Sequence, residues 1–195
     1  MDTRSEHRRR WLKISGGLIL QVGLMAPAIL TTRKSWAQQP ATPSCGEPTP
    51  PQIAGPFFIP QSPERSSLIE PGMKANRMRL TGQVMDASCR PVAGVLLDFW
   101  QCDDKGDYDN QGFRLRGHQF ANNQGQFVLD TLVPGAYPGR TPHLHVRVQR
   151  KGGPILTTQL YLPGHPGNAK DFLFDPKLLM QARGAALHFQ FVLPA

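Results

Sequence analysis

The stretch "PHLHVRVQ", residues 142–149, decides the fold. Leu144, Val146 and Val148 alternate with His143, His145, Arg147 and Gln149. Successive side chains of an extended strand point to opposite faces, so this pattern predicts a strand with one apolar face and one polar face carrying both histidines. Pro142 biases Thr141 toward extended backbone, which starts the strand at the first histidine. Similar segments surround it. "MRLTGQVM" (78–85) alternates, with Met78, Leu80, Gly82 and Val84 on one side. "AGVLLDFWQC" (93–102), "QFVLD" (126–130), "ILTTQLYL" (155–162) and "LHFQFVL" (187–193) are rich in β-forming residues. Turn signals separate them, among them Asp104-Lys105-Gly106, Asn122-Asn123-Gln124-Gly125 and Lys151-Gly152-Gly153-Pro154. Short strands punctuated by Gly and Pro predict an all-β sandwich or barrel. One short helix is expected after Asp175 as N-cap, with Pro176 at its first position and Gly184 beyond its end.

The chain has 195 residues and a formal charge of +8. Seven of its 22 basic residues fall in the first 37 positions, against only two acids there. The rest carries 15 basic and 12 acidic residues, without a basic stripe or helix, so no nucleic-acid partner is expected. Residues 1–37 have the form of a signal peptide. Arg8-Arg9-Arg10-Trp11-Leu12-Lys13 precedes a weakly apolar run from Ile14 to Leu30, and Ser35-Trp36-Ala37 offers a cleavage site. The paired arginines before an aromatic, Leu and Lys resemble a twin-arginine signal, so the protein is expected to be periplasmic or secreted and to meet a membrane only during export. That route carries folded proteins, which suits a cofactor inserted before export. Residues 38–54 read as a Pro-rich extended arm, and residues 55–195 as one β domain.

His143 and His145 on one strand face make a two-ligand metal clip, although two half-exposed histidines on a polar sheet face would give the same pattern. Tyr137 shifts that balance. It stands on a Pro-Gly turn just before the strand, so the chain can fold back over the histidines. Tyrosinate is a hard anionic oxygen ligand suited to ferric iron, and a strong Lewis acid is needed to ionise a phenol of pKa about 10. Structural zinc prefers Cys and His. Tyr108, in "DFWQCDDKGDYDNQG" (98–112), follows another strand and a tight Lys-Gly turn. The acids around it do not make a calcium-binding EF-hand, because the position of the bidentate Glu falls on His118. Asp103, Asp104, Asp107 and Asp109 read as a solvated turn. Trp100 reads as core, Tyr161 as core or a neighbour of the site, and His118, His165 and His188 as uninvolved in metal binding.

Taken together, "GPFF" (55–58), "LTGQVMDASCRPVAGVLLDFWQCDDKGDY" (80–108), "FRLRGHQFANNQGQFVLDTLVPGAYPGRTPHLHV" (113–146) and "LTTQLYLPG" (156–164) resemble the intradiol ring-cleaving dioxygenases, in particular the protocatechuate 3,4-dioxygenase type and its small exported relatives. The resemblance implies a two-sheet β-sandwich with long loops around a metal site. It implies one non-haem Fe(III) held by Tyr108, Tyr137, His143 and His145, with Tyr137 and His143 axial and Tyr108 and His145 equatorial. Arg140 and Gln159 match residues that line the substrate site, and Arg140 and Tyr137 take catalytic parts. The implied reaction inserts O2 between the two hydroxylated carbons of a catechol-type aromatic and gives a muconate-type product. Only Gly139 separates Pro138 from Arg140, where the protocatechuate type has a longer segment carrying tryptophan; a more open pocket is expected. A non-catalytic exported β-sandwich that binds metal or carbohydrate is the alternative reading, and a visible tyrosinate-to-iron band separates the two.

Three cysteines in an exported chain suggest one bridge and one free thiol. A strand over 93–102 would hold its ends about 30 Å apart at roughly 3.3 Å per residue, far beyond the reach of a Cys89–Cys102 bridge. The expected disulfide is Cys45–Cys89, which would pin the arm to the domain.

Overall fold

The computed structural model describes residues 46–194. The expected signal segment 1–37, the beginning of the arm and Cys45 lie outside the described residues. Eight strands run in chain order: β1 Arg77–Asp86, β2 Leu96–Trp100, β3 Arg116–Phe120, β4 Gln126–Leu132, β5 His143–Gln149, β6 Leu156–Tyr161, β7 Gln181–Arg183 and β8 Ala186–Leu193. They form two four-stranded sheets, ordered β4-β1-β8-β7 and β3-β2-β5-β6. All neighbours pair antiparallel except β1 and β8, which are parallel. The fold is all-β, a two-sheet sandwich.

The core lies between the sheets because each strand alternates. Leu80, Val84, Leu129, Phe189 and Phe191 of the first sheet are fully buried, as are Leu97, Phe99, Leu144, Val146, Val148 and Leu160 of the second. Phe99 and Phe127 meet across the two sheets at a ring-centroid distance of 5.8 Å. Burial of such side chains is the main stabilising contribution. Strand β3 was not legible as a strand: "RGHQF" has no apolar alternation, yet it pairs along all of β2.

The short helix is corrected. Asp175 does cap, accepting the Lys177 N–H at 2.9 Å, but the helix is a single 3-10 turn, Pro176–Leu178. Leu178, Leu179 and Met180 drop into the core, and Gln181–Arg183 becomes β7, turning back into β8 through Gly184 at φ +59°. Tertiary burial and strand pairing override the helix-start signal.

From Thr49 onward the Pro-rich arm is hydrogen-bonded into the domain. Thr49 exchanges bonds with Val192, at 2.9 and 2.8 Å. The Gln52 N–H donates to the Thr157 carbonyl at 2.8 Å, and the Thr158 hydroxyl donates to the Pro50 carbonyl at 2.8 Å. Cys89 is disulfide-bonded, and Cys102 is a free, buried thiol.

Gly82 sits mid-strand in β1 between Phe127 and Phe189. A Cβ there would lie 2.3 Å from the Phe189 carbonyl oxygen and 2.4 Å from the Phe127 ring. Gly82→Ala is therefore expected to destabilise the fold by about 1–3 kcal/mol through overpacking. Urea unfolding checks this, and an unchanged midpoint would contradict the packing described.

Candidate metal centre

The register of the second sheet assembles the site. Trp100 of β2 lies opposite His145 of β5; His145 lies opposite Gln159 of β6, and His143 opposite Tyr161. Directly paired residues share a sheet face, so these five side chains form one patch on the side of the sheet away from the sandwich core. The patch is buried all the same. Residues 52–58 cover part of it: Gln159 Nε2 donates to the Ile53 carbonyl at 3.0 Å, and Phe58 meets Trp100 edge-on at 4.9 Å. Trp100 is buried, but on this outer face rather than in the core where it was expected, and it stacks on His145 at 4.9 Å with 10° between ring planes.

The two remaining tyrosines arrive on turns. Tyr137-Pro138-Gly139-Arg140 closes with the Arg140 N–H donating to the Tyr137 carbonyl at 2.9 Å, and Gly139 takes φ +77°. Proline followed by a positive-φ glycine suits a tight type II turn. The turn sets Tyr137 and Arg140 side by side, which is why a single residue between Pro138 and Arg140 suffices. Tyr108 stands on the loop after β2. Two acids of that loop, Asp103 and Asp109, serve its backbone, while Asp104 and Asp107 are exposed, as expected of a solvated turn. Asp103 Oδ1 accepts the N–H groups of Lys105 and Asp107, at 2.9 and 3.1 Å. Asp109 accepts those of Gln111, Gly112 and Arg114, at 3.0, 2.9 and 2.9 Å. Buried Arg116 grips the Asp109 carbonyl through Nε and Nη2, at 3.2 and 2.7 Å. Phe57 then stacks on Tyr108, with centroids 4.3 Å apart and 13° between planes.

Four donor side chains converge. His143 Nε2 lies 3.1 Å from His145 Nε2 and 3.2 Å from Tyr137 Oη. His143 Nδ1 bonds the Thr141 carbonyl at 2.7 Å, which fixes the tautomer with the Nε2 lone pair facing the cluster. The ring centroids of Tyr108 lie 6.0 Å from Tyr137 and 6.2 Å from His145. Tyr108 Oη is buried without a hydrogen-bond partner, as is His145 Nδ1. Buried polar atoms are normally satisfied, so an orphaned phenol oxygen beside two facing imidazoles fits a cation that all of them could ligate. Among the described residues no cluster of three His, Cys, Asp or Glu side chains could hold a metal; the phenols make this set.

Arg140 and Gln159 join the site. Arg140 Nη1 donates toward Tyr137 Oη at 3.5 Å, and Nη2 hydrogen-bonds Gln159 Oε1. The Tyr161 hydroxyl lies 2.8 Å from Gln52 Oε1 and 2.9 Å from the Leu173 carbonyl, behind the donor cluster. His118, His165 and His188 stay outside it, bonded to Ser62, Thr141 and Thr81. Sequence reading gave no role to Phe57, Thr141 or Asp171. The ring after Gly55-Pro56 was a usable signal for Phe57; a lone Asp in "NAKDFLF" offered none for Asp171.

A family model described as "Dioxygenase" matches residues 53–192. The chain belongs to the intradiol ring-cleaving dioxygenase family. It is 27% identical to a catechol 1,2-dioxygenase of Pseudomonas sp. (strain EST1001), covering 86% of this chain and 66% of that protein. A hydroxyquinol 1,2-dioxygenase of Rhizobium sp. (strain MTP-10005) is 28% identical, over 89% of this chain and 63% of the relative. The chain thus spans less than two thirds of the length of these relatives. Among solved structures, the dioxygenase domain of a dioxygenase carbohydrate-binding protein fusion from Streptomyces sp. SirexAA-E superposes with a TM-score of 0.73 at 50% identity, covering 76% of this chain and 99% of that one.

In this member of the family, burial keeps the four donors neutral. It pushes the Tyr108 phenol far above its usual pKa, with the neighbouring Tyr137 adding to the effect. It raises Tyr137 as well, against the pull of Arg140. Burial, reinforced by Arg140, lowers His143 from 6.5 to about 4, and burial with His143 lowers His145 well below its usual value. Below pH 6.5 the unfolded chain therefore takes up a proton at His143 that the native state refuses until about pH 4. Stability must fall as pH drops through that window. In chelator, the urea midpoint is expected to fall between about pH 7 and about pH 4.5, and His143→Gln to flatten the decline. An equal slope in the variant would contradict the buried neutral imidazole.

Proposed function

We propose that the protein is a non-haem Fe(III) enzyme that inserts O2 between the two hydroxylated carbons of a catechol-type aromatic and releases a muconate-type product. The observation that carries this reading is the unpartnered, buried Tyr108 hydroxyl beside Tyr137 and two facing, neutral imidazoles. Tyr108, Tyr137, His143 and His145 would hold the ion. When bound, Fe(III) supplies a Lewis acid and template for both catechol oxygens. A phenol as deeply buried as Tyr108 ionises only where a strong cation replaces its proton.

The chain's own groups do the rest. Tyr137 Oη lies within reach of Arg140 and His143; as the phenolate, with its own proton already displaced, it would be able to take a proton from a substrate hydroxyl. Arg140 places a fixed positive charge at the same spot, suited to stabilising negative charge that develops on the ring. The Trp100, Phe57 and Phe58 rings exclude water from the histidine side. Beside the turn, a cavity of about 180 Å³ is lined by Tyr137, Gly139, Arg140, Thr141, His165 and Lys170. A Cβ at Gly139 would meet nothing within 4 Å, so this wall is open and supports substituted catechols or hydroxyquinols as substrates. Curated relatives include enzymes named for catechol, hydroxyquinol and 6-chlorohydroxyquinol.

The leader supports export by the twin-arginine route after the iron is loaded. No helix among the described residues is long and apolar enough to cross a membrane. Cys45 is the proposed partner of Cys89, and peptide mapping without reductant that found Cys102 bridged would overturn this.

The decisive test is turnover of catechols under O2. Muconate-type products are expected; a semialdehyde from cleavage beside the diol, or no oxygen uptake by an iron-loaded protein, would overturn the reading. Arg140→Ala is expected to keep iron and to slow turnover on the order of a hundredfold. Unchanged turnover would remove Arg140 from the chemistry.

A further inference from the structure

Arg140 is held from behind. Its Nε faces both carboxylate oxygens of Asp171, at 3.2 and 3.0 Å. The Asp171 side chain has no exposed surface, and that of Arg140 has only 11%. Asp171 also accepts the Thr141 N–H through Oδ2 and the Leu173 N–H through Oδ1, each at 2.9 Å. One carboxylate therefore fastens the turn bearing Tyr137 and Arg140 to the loop after β6. Because Asp171 occupies the Nε edge, the other two nitrogens are left to face forward: Nη1 toward Tyr137 and Nη2 toward Gln159. The guanidinium is a rigid planar fork, so anchoring one edge fixes the direction of the other. The arginine stem itself has many rotamers, and nothing else among the described contacts holds its Nε edge.

We propose that Asp171 is the positioning residue for Arg140, setting the plane in which its guanidinium meets the substrate and the Tyr137 oxygen. This rests on the functional reading above, in which Arg140 stabilises charge on the ring. Asp171 touches neither the donor cluster nor the reacting atoms. Its bonds reach the site through the Arg140 guanidinium and the Thr141 N–H; the first is the route assigned to turnover, because a small displacement of a charge-stabilising group is costly in rate. The cost should fall on turnover more than on substrate binding, since the four donor side chains stay in place.

The test is a double-mutant cycle with Asp171→Asn and Arg140→Ala, measured as kcat and KM for a catechol that the wild type cleaves. Asp171→Asn is expected to retain iron and the tyrosinate absorption band, to lower kcat by roughly 10- to 100-fold, and to change KM by less than about threefold. In the Arg140→Ala background the same change should cost less than about threefold, because residues acting through one another are not additive. A crystal structure of Asp171→Asn should show the guanidinium turned away from Tyr137 and Gln159. If Asp171→Asn does not fold, Asp171→Ser, which keeps an acceptor for the Leu173 N–H, serves in the same cycle. Equal losses of kcat in both backgrounds, or an unmoved guanidinium, would overturn the proposal. An iron-loaded wild type that cleaves no catechol would instead overturn the functional reading itself.

Discussion

The 3.1 Å approach of two imidazole nitrogens, on the covered outer face of a sheet, is the constraint around which this molecule is arranged. Two residues apart on a strand, His143 and His145 share a face by necessity, and Pro142 starts the strand where the first of them is needed. Pairing then supplies the surroundings. β2 brings Trp100 against one ring, and β6 brings Gln159 and Tyr161 beside both. The opposite side chains of the same three strands fill the sandwich core. The β-sandwich thus presents the site on a rigid element, while loops deliver the residues that need other backbone conformations, as at Gly139 and Gly106.

Burial does two things here. It makes ionisation of each donor costly, so the site without a cation is a cluster of neutral groups with an orphaned phenol. It also leaves that cluster short of water, where a multiply charged ion would be strongly attracted to phenolate oxygens. The only cation touching the donor cluster among the described residues, Arg140, is itself matched by Asp171. The pair keeps the guanidinium's charge fixed near the donors while limiting its repulsion of a metal.

Much of this was legible in the sequence because it follows from periodicity. The alternation in 142–149 gave the strand, its face and both histidines, and the Pro-Gly turn gave Tyr137 its place beside them. Tyr108 was not legible from pattern alone. Its loop is shaped by Asp103, Asp109 and Arg116 binding backbone groups, contacts that have no local period, so its assignment came through resemblance. The mutual arrangement of donors also lay beyond sequence, because the approach of Tyr137, His143 and His145 to one another depends on angles set by turns. Asp171 was invisible, since a salt bridge across 31 positions leaves no trace in composition or spacing. The helix expected after Asp175 failed where a sound local cap met a stronger demand for strand pairing with β8.

The central claim is that two tyrosines and two histidines of this chain hold one ferric ion. Iron content and the visible spectrum of the purified full-length protein, beside those of Tyr108→Phe, test it most directly. The account predicts about one iron per chain and a tyrosinate-to-iron charge-transfer band, with the band weakened and iron less firmly retained when Tyr108 loses its hydroxyl. A colourless protein after iron loading, or a Tyr108→Phe variant that keeps the full band and iron content, would contradict it.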